Sequence, residues 1–222
     1  MKRISTLGAV IVFAVVLLTP AVAEAAPNGP GASGWKLGYY NPSGMALSMA
    51  QVAPIADGVA AFNFTNQPDT ALLLNTKGNS PLLGNDLNKT VSATFTISGA
   101  TGDFTAYPDQ CYPSGTAPNV RLFFETKYSA GGFAYSDYWW ADDAFSTLQN
   151  GTFTITAVVN PTTAHWSDWG GELSAAHATT FTSAASNVTG IGLSFGGYCH
   201  YESGVGTTNG TGALSLRSFS VS

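Results

Sequence analysis

Two short stretches hold four of the five tryptophans in this 222-residue chain: Ser136-Asp137-Tyr138-Trp139-Trp140 and His165-Trp166-Ser167-Asp168-Trp169. Each mixes wide aromatic faces with short polar groups. Flat C–H faces stack on such rings, and hydroxyls bond to such carboxylates, hydroxyls and imidazoles. The chemistry implied is recognition of a polyhydroxylated ring. Along a strand, Trp139 and Trp140 must point to opposite faces. One of each pair can therefore anchor a core while the other lines a cleft, with indole N–H groups bonded to nearby acceptors.

A second set of polar groups lies along strands. Arg121, Phe123 and Glu125 share one strand face. Tyr198, His200 and Glu202 share another if the register survives Gly196-Gly197. Side by side, they would form a wall with two carboxylates, a cation and two aromatics. The ligand-binding candidates are Asp137, Tyr138, Trp139, Trp140, Trp166, Trp169, Arg121, Glu125 and His200. Glu125 and Glu202 are the alternative catalytic pair, because glycoside hydrolysis needs two carboxylates flanking the scissile bond. A plain Arg–Glu pair on a solvated edge is the structural alternative.

Other motifs carry less. Gly192-Leu193-Ser194-Phe195-Gly196 matches the serine-hydrolase GxSxG elbow, but that elbow needs a strand, a sharp turn and a helix. Here the serine falls inside an alternating strand. His165, His177 and His200 show no zinc-ligand spacing. A structural calcium could draw on Asp142-Asp143, Asp103, Asp109 and Asp168 as loop carboxylates. Cys111 and Cys199 lack CxxC spacing and are the only two cysteines, so in an exported chain they should form a disulfide.

The elements that must position these groups read as β throughout. Val91, Ala93, Phe95 and Ile97 alternate with Ser92, Thr94, Thr96 and Ser98. Phe153, Ile155 and Ala157 alternate with Thr152, Thr154 and Thr156. Val120 to Glu125, Tyr135 to Trp140, Ile191 to Phe195 and Leu214 to Val221 are further strands. The phase slip at Arg217-Ser218 predicts a bulge. Trp35 to Tyr40, Val59 to Thr65 and Ala71 to Thr76 read as earlier strands, and Asp103 to Pro118 as a loop. A short helical turn is expected over Thr180 to Ser186. Many short strands with frequent turns predict an all-β fold, a single antiparallel β-sandwich or jelly roll with one disulfide.

Residues 1–23 have a basic start, an apolar run to Leu18 and small residues at the end, as a signal peptide does. Cleavage after Ala23 or Ala25 fits. Residues 24–34 read as a flexible leader and 35–222 as one domain. Only 9% of residues are charged, and the net charge is −5. No basic patch exists for nucleic acid or an anionic membrane, which leaves neutral material as the expected partner.

The run Asp86-Leu87-Asn88-Lys89-Thr90-Val91-Ser92-Ala93-Thr94-Phe95 resembles the early strand of galactose-binding-like jelly rolls. Asp137-Tyr138-Trp139-Trp140, Asn150-Gly151-Thr152-Phe153-Thr154-Ile155 and Trp166-Ser167 resemble their middle passage. Gly190 to Gly197, with Gly204-Val205-Gly206 and the final strand, resembles their close. The likeness spans about Val59 to Ser222 and is one of strand and turn pattern, without a diagnostic motif. It implies a secreted, noncatalytic carbohydrate-binding module for poly- or oligosaccharide, often with a structural calcium. The Tyr-Trp-Trp and Gly-Leu-Ser-Phe-Gly-Gly runs equally resemble a family of small bacterial secreted proteins, which implies a fold and no activity. A small secreted glycoside hydrolase and a structural extracellular β-protein without a small ligand are the competing expectations.

Overall fold

A computed structural model describes residues 34–40, 47–52, 54–56, 58–76, 88–106, 117–126, 134–162, 165–197 and 201–222. The expected signal peptide and nearly all of the leader, both cysteines, Asp109, Tyr198 and His200 lie outside the described residues.

Two antiparallel sheets carry the fold. The strands in chain order are β1 (Trp35–Tyr40), β2 (Leu47–Gln51), β3 (Ala60–Asn63), β4 (Thr70–Asn75), β5 (Thr90–Ser98), β6 (Phe104–Ala106) and β7 (Asn119–Thr126). They continue as β8 (Tyr138–Thr147), β9 (Gly151–Val158), β10 (Trp166–Asp168), β11 (Val188–Gly196), β12 (Val205–Thr207) and β13 (Ala213–Val221). The one helix among the described residues longer than a single turn, α1, spans Ala178–Ala185. The larger sheet runs β10-β8-β7-β11-β4-β1-β2, with β12 beside β4 and β6. The smaller runs β3-β13-β5-β9.

The smaller sheet follows the alternation of its sequence. Val91, Ala93, Phe95 and Ile97 point inward and are buried, while Ser92, Thr94 and Thr96 point outward. There they bond across to Thr156, Thr154 and Thr152, each at 2.9 Å. β-branched hydroxyl side chains suit this wet face, because cross-strand partners sit close enough to bond one another. The bulge expected near Arg217 is present, as a register shift between Leu216 and Ser218.

The larger sheet departs from that pattern, because it is buried on both faces. Its inner face packs Trp35, Leu73, Leu122, Phe124, Trp139, Trp166, Ile191 and Phe195 against the smaller sheet. Its outer face carries a separate apolar layer of Ala71, Leu72, Leu74, Phe123, Tyr138 and Trp140, with Trp169 and Tyr201 packed on it. A strand buried on both sides reads as an apolar run, as Ala71-Leu72-Leu73-Leu74 and Leu122-Phe123-Phe124 do. α1 closes one end of the inner core through Phe181, which meets Trp139 edge-on at 4.9 Å and Phe124 at 5.8 Å.

Several local expectations need correction. Tyr135–Asp137 forms a single 3-10 turn, and the strand starts only at Tyr138. That strand continues through Asp142 and Asp143, expected as loop carboxylates. β6 lies within the expected loop from Asp103 to Pro118. Glu202 falls in a turn after β11 has ended, so it does not extend that strand's face. The expected helical turn is α1, beginning two residues earlier.

Candidate functional site

The predicted site residues divide by face of the larger sheet. Trp139 and Trp166 are wholly buried in the inner core. Their indole N–H groups donate to the Ser136 carbonyl at 2.8 Å and the Val158 carbonyl at 2.9 Å. Fully packed and bonded, neither can offer a face to a ligand, and both leave the list of binding candidates. Arg121, Phe123, Glu125, Tyr138, Trp140 and Trp169 all belong to the outer side. Asp137 is also buried, at the end of the 3-10 turn.

The outer face is built around a distortion in β8. Arg121 pairs with Phe145, whereas Phe123 pairs with Trp140. Two steps along β7 therefore match five along β8, and the excess bulges at Ala141 to Ala144. A bulge leaves backbone groups without ladder partners. Arg121 supplies them: its Nη1 donates to the Ala141 carbonyl at 3.1 Å and the Asp142 carbonyl at 2.6 Å. Its Nε donates to Asn119 Oδ1 at 3.1 Å. The planar guanidinium can serve both carbonyls from a fixed fork.

The same guanidinium is stacked between two rings. Its carbon lies 4.5 Å from the Phe145 ring centre and 4.0 Å from that of Tyr201, within cation–π range on both faces. Phe145 is 49% exposed. Tyr201 is half-buried and lies 6.3 Å from Trp140, tilted by 59°. Trp169 flanks Trp140 on its own contact at 5.6 Å and 54°. Tyr138 adds a stacked contact with Trp140 at 6.3 Å. Tyr201 was absent from the predicted set. Alternation extended past Gly196 selects Tyr198, His200 and Glu202 instead, whereas β11 ends at Gly196 and Tyr201 lies in the turn beyond it.

Polar groups border this ribbon of rings. Ser167, opposite Trp140 on β10, donates to Asp142 Oδ1 at 2.8 Å. Burial raises the Asp142 carboxyl above its ordinary value, against the opposing pull of Ser167 and the Arg121 charge. Burial lowers Arg121, opposed by Tyr201, Asp142 and Asp143. Asp143 contacts His165 Nδ1, and both are well exposed. Asp168 is engaged in its own turn, accepting Gly170 N–H at 2.8 Å and Glu172 N–H at 3.0 Å.

Glu125 stands apart from Arg121, and no ion pair joins them among the described residues. It is opposite Tyr138 and Gly190. A Cβ at Gly190 would lie 2.8 Å from both Glu125 Oε1 and Leu74 Cδ2, so the missing side chain is what admits the carboxyl. Burial alone pushes Glu125 up to about 7. Glu125 is half-buried, whereas Glu202 is buried. Ser194 is buried mid-strand in β11, with no strand–turn–helix elbow around it.

Fold and site thus define an all-β sandwich with a polar, aromatic-layered outer face on its larger sheet. In comparison with known proteins, the chain matches no family model, and neither a curated protein nor a solved structure shows significant similarity to it.

Proposed function

We propose that this is a secreted, noncatalytic carbohydrate-binding protein on a jelly-roll version of the sandwich, with its site on the outer face of the larger sheet around Tyr201. The observation that carries the reading is the Phe145–Arg121–Tyr201 stack continuing into Trp140 and Trp169, bordered by Asp142 and Ser167. Phe145, Tyr201 and Trp169, the rings left partly or well exposed, supply stacking faces over the buried Trp140, and the border supplies donors and acceptors with charges of both signs. That composition suits a neutral polyhydroxylated ligand better than an anion. Few rings are offered and a flexible saccharide loses conformational freedom on binding, so affinity in the micromolar range or weaker is expected. The test is a pull-down on insoluble polysaccharides, scored for both retained protein and released reducing sugar. Retention without release is expected; no retention on any neutral polysaccharide overturns the reading.

Glu125 favours a second reading. A carboxyl raised to about 7 by burial has the property of a general acid, and with Glu202 it would serve a glycoside hydrolase. Release of reducing sugar, abolished by Glu125→Gln, would favour this reading over the first.

A further inference from the structure

β9 is an open edge of the smaller sheet. It pairs with β5, and no strand lies beyond it among the described residues. Natural sheets protect such edges with charges, prolines, bulges or brevity. β9 has none of these. Its eight residues, Gly-Thr-Phe-Thr-Ile-Thr-Ala-Val, include no charge and no proline, and its register with β5 is unbroken from Gly151 to Val158. The edges at β2, β3 and β10 are shorter, at five, four and three residues.

The hydrogen bonds around β9 show which backbone groups it offers. In an antiparallel ladder a residue turns its N–H and C=O to one side, and successive residues turn to opposite sides. Val159 N–H donates to the Lys89 carbonyl at 2.8 Å, on the β5 side. Val158 turns the other way, and its carbonyl accepts the Trp166 indole N–H at 2.9 Å. By the same alternation Phe153, Ile155 and Ala157 bond to β5, while Thr152, Thr154 and Thr156 aim their N–H and C=O groups outward. All three threonines are exposed.

We propose that β9 pairs with β9 of a second copy about a twofold axis at Thr154, joining the two four-stranded sheets into one. A twofold contact needs a surface complementary to itself. An uncharged antiparallel edge is such a surface, because it meets its copy with no like charges opposed. With Thr154 opposite its counterpart, Thr152 meets the partner's Thr156, and every outward threonine N–H finds a carbonyl. The Val158 carbonyl keeps its bond to Trp166, whereas registers centred nearer Val158 would set an amide of the partner against that occupied oxygen. Both faces gain as well. On the outer face the hydroxyl pairs Thr94–Thr154 and Thr96–Thr152 continue across the axis. On the inner face the half-buried Phe153 comes opposite the partner's Ile155. This contact is independent of the saccharide reading.

A single strand pairing is a small interface, so a dissociation constant of roughly tens of micromolar is expected. Sedimentation equilibrium of the purified protein across that range should show monomer passing to dimer. Amides of Thr152, Thr154 and Thr156 should then exchange with solvent roughly fivefold more slowly in concentrated than in dilute protein, while those of Phe153, Ile155 and Ala157 stay unchanged. Thr154→Lys and Thr154→Glu alter an exposed side chain, so each should fold. Each should dimerise at least about fivefold more weakly than the wild type, because like charges face each other across the axis. Mixed in equal amounts, the two should associate at least as tightly as the wild type, a rescue that a folding defect cannot give. A wild-type protein monomeric throughout overturns the proposal. So does a dimer that either charged variant leaves intact, or a mixture no tighter than its components, since both place the contact away from Thr154.

Discussion

Replacing Glu125 by glutamine should remove a pH dependence of stability that the fold builds in. The carboxyl sits on the outer face beside Leu74, in space left by Gly190, and burial raises it from 4.5 to about 7. Below pH 4.5 it is protonated both folded and unfolded, and its effect is nil. Between 4.5 and 7 the unfolded chain releases the proton while the folded chain keeps it. The folded state then binds more protons, so stability falls as pH rises through this window. The shift of about 2.5 units corresponds to roughly 3 kcal/mol at 1.36 kcal/mol per unit. In a chain of this size that is roughly 6–12 °C in melting temperature. Glutamine cannot titrate, so any cost of its buried amide is constant with pH. Asp142, also raised by burial, contributes the same trend to both proteins and cancels in their difference. Thermal melts of wild type and Glu125→Gln from pH 4 to pH 8, followed by circular dichroism, measure it. The variant should gain on the wild type across the window and run parallel outside it. Parallel curves throughout would refute the argument and place Glu125 in contact with water or a cation.

Four further substitutions probe the larger sheet. Trp139→Ala should cost about 3–5 kcal/mol, as expected for a wholly buried ring with a bonded N–H, whereas Trp169→Ala at the partly exposed edge should cost clearly less; denaturant titration compares them. Arg121→Lys should destabilise by about 2 kcal/mol or more, because an ammonium cannot bridge the Ala141 and Asp142 carbonyls while stacked between Phe145 and Tyr201; unchanged unfolding midpoints would count against its role in the bulge. In Gly192→Ala the new methyl would meet the Leu73 carbonyl oxygen at 2.0 Å, so the β4–β11 pairing must open. Faster amide exchange in β4 and β11 should accompany a lower melting temperature.

The alternating strands were legible because one periodicity governs them. In β5 and β9 the hydrophobic residues face the core and the threonines face out, with Val158 at the end of β9 the one exposed hydrophobic, and the slip at Arg217 is visible as a break in that phase. The larger sheet was harder to read. Its runs Ala71 to Leu74 and Leu122 to Phe124 have no alternation to lose, and they mark burial on both faces. Trp139 and Trp140, adjacent along a strand, lie on opposite faces of the sheet as alternation requires. That the second face is itself largely buried depends on what packs above the sheet, which alternation does not show. β10 and β12, three residues each, are too short to show a period. β2, Leu-Ser-Met-Ala-Gln, owes its place to pairing with β1. The Arg121 bulge could not be foreseen either, since it arises from a mismatch in length between β7 and β8.

The central claim is that Tyr201 and Trp169 border a saccharide site, and the double variant Tyr201→Ala with Trp169→Ala tests it most directly. The measurement is retention on whichever neutral polysaccharide holds the wild-type protein, made after near-ultraviolet circular dichroism has verified that the variant is folded. The account predicts a folded variant whose retention is lost. A folded variant retained as fully as the wild type would contradict it.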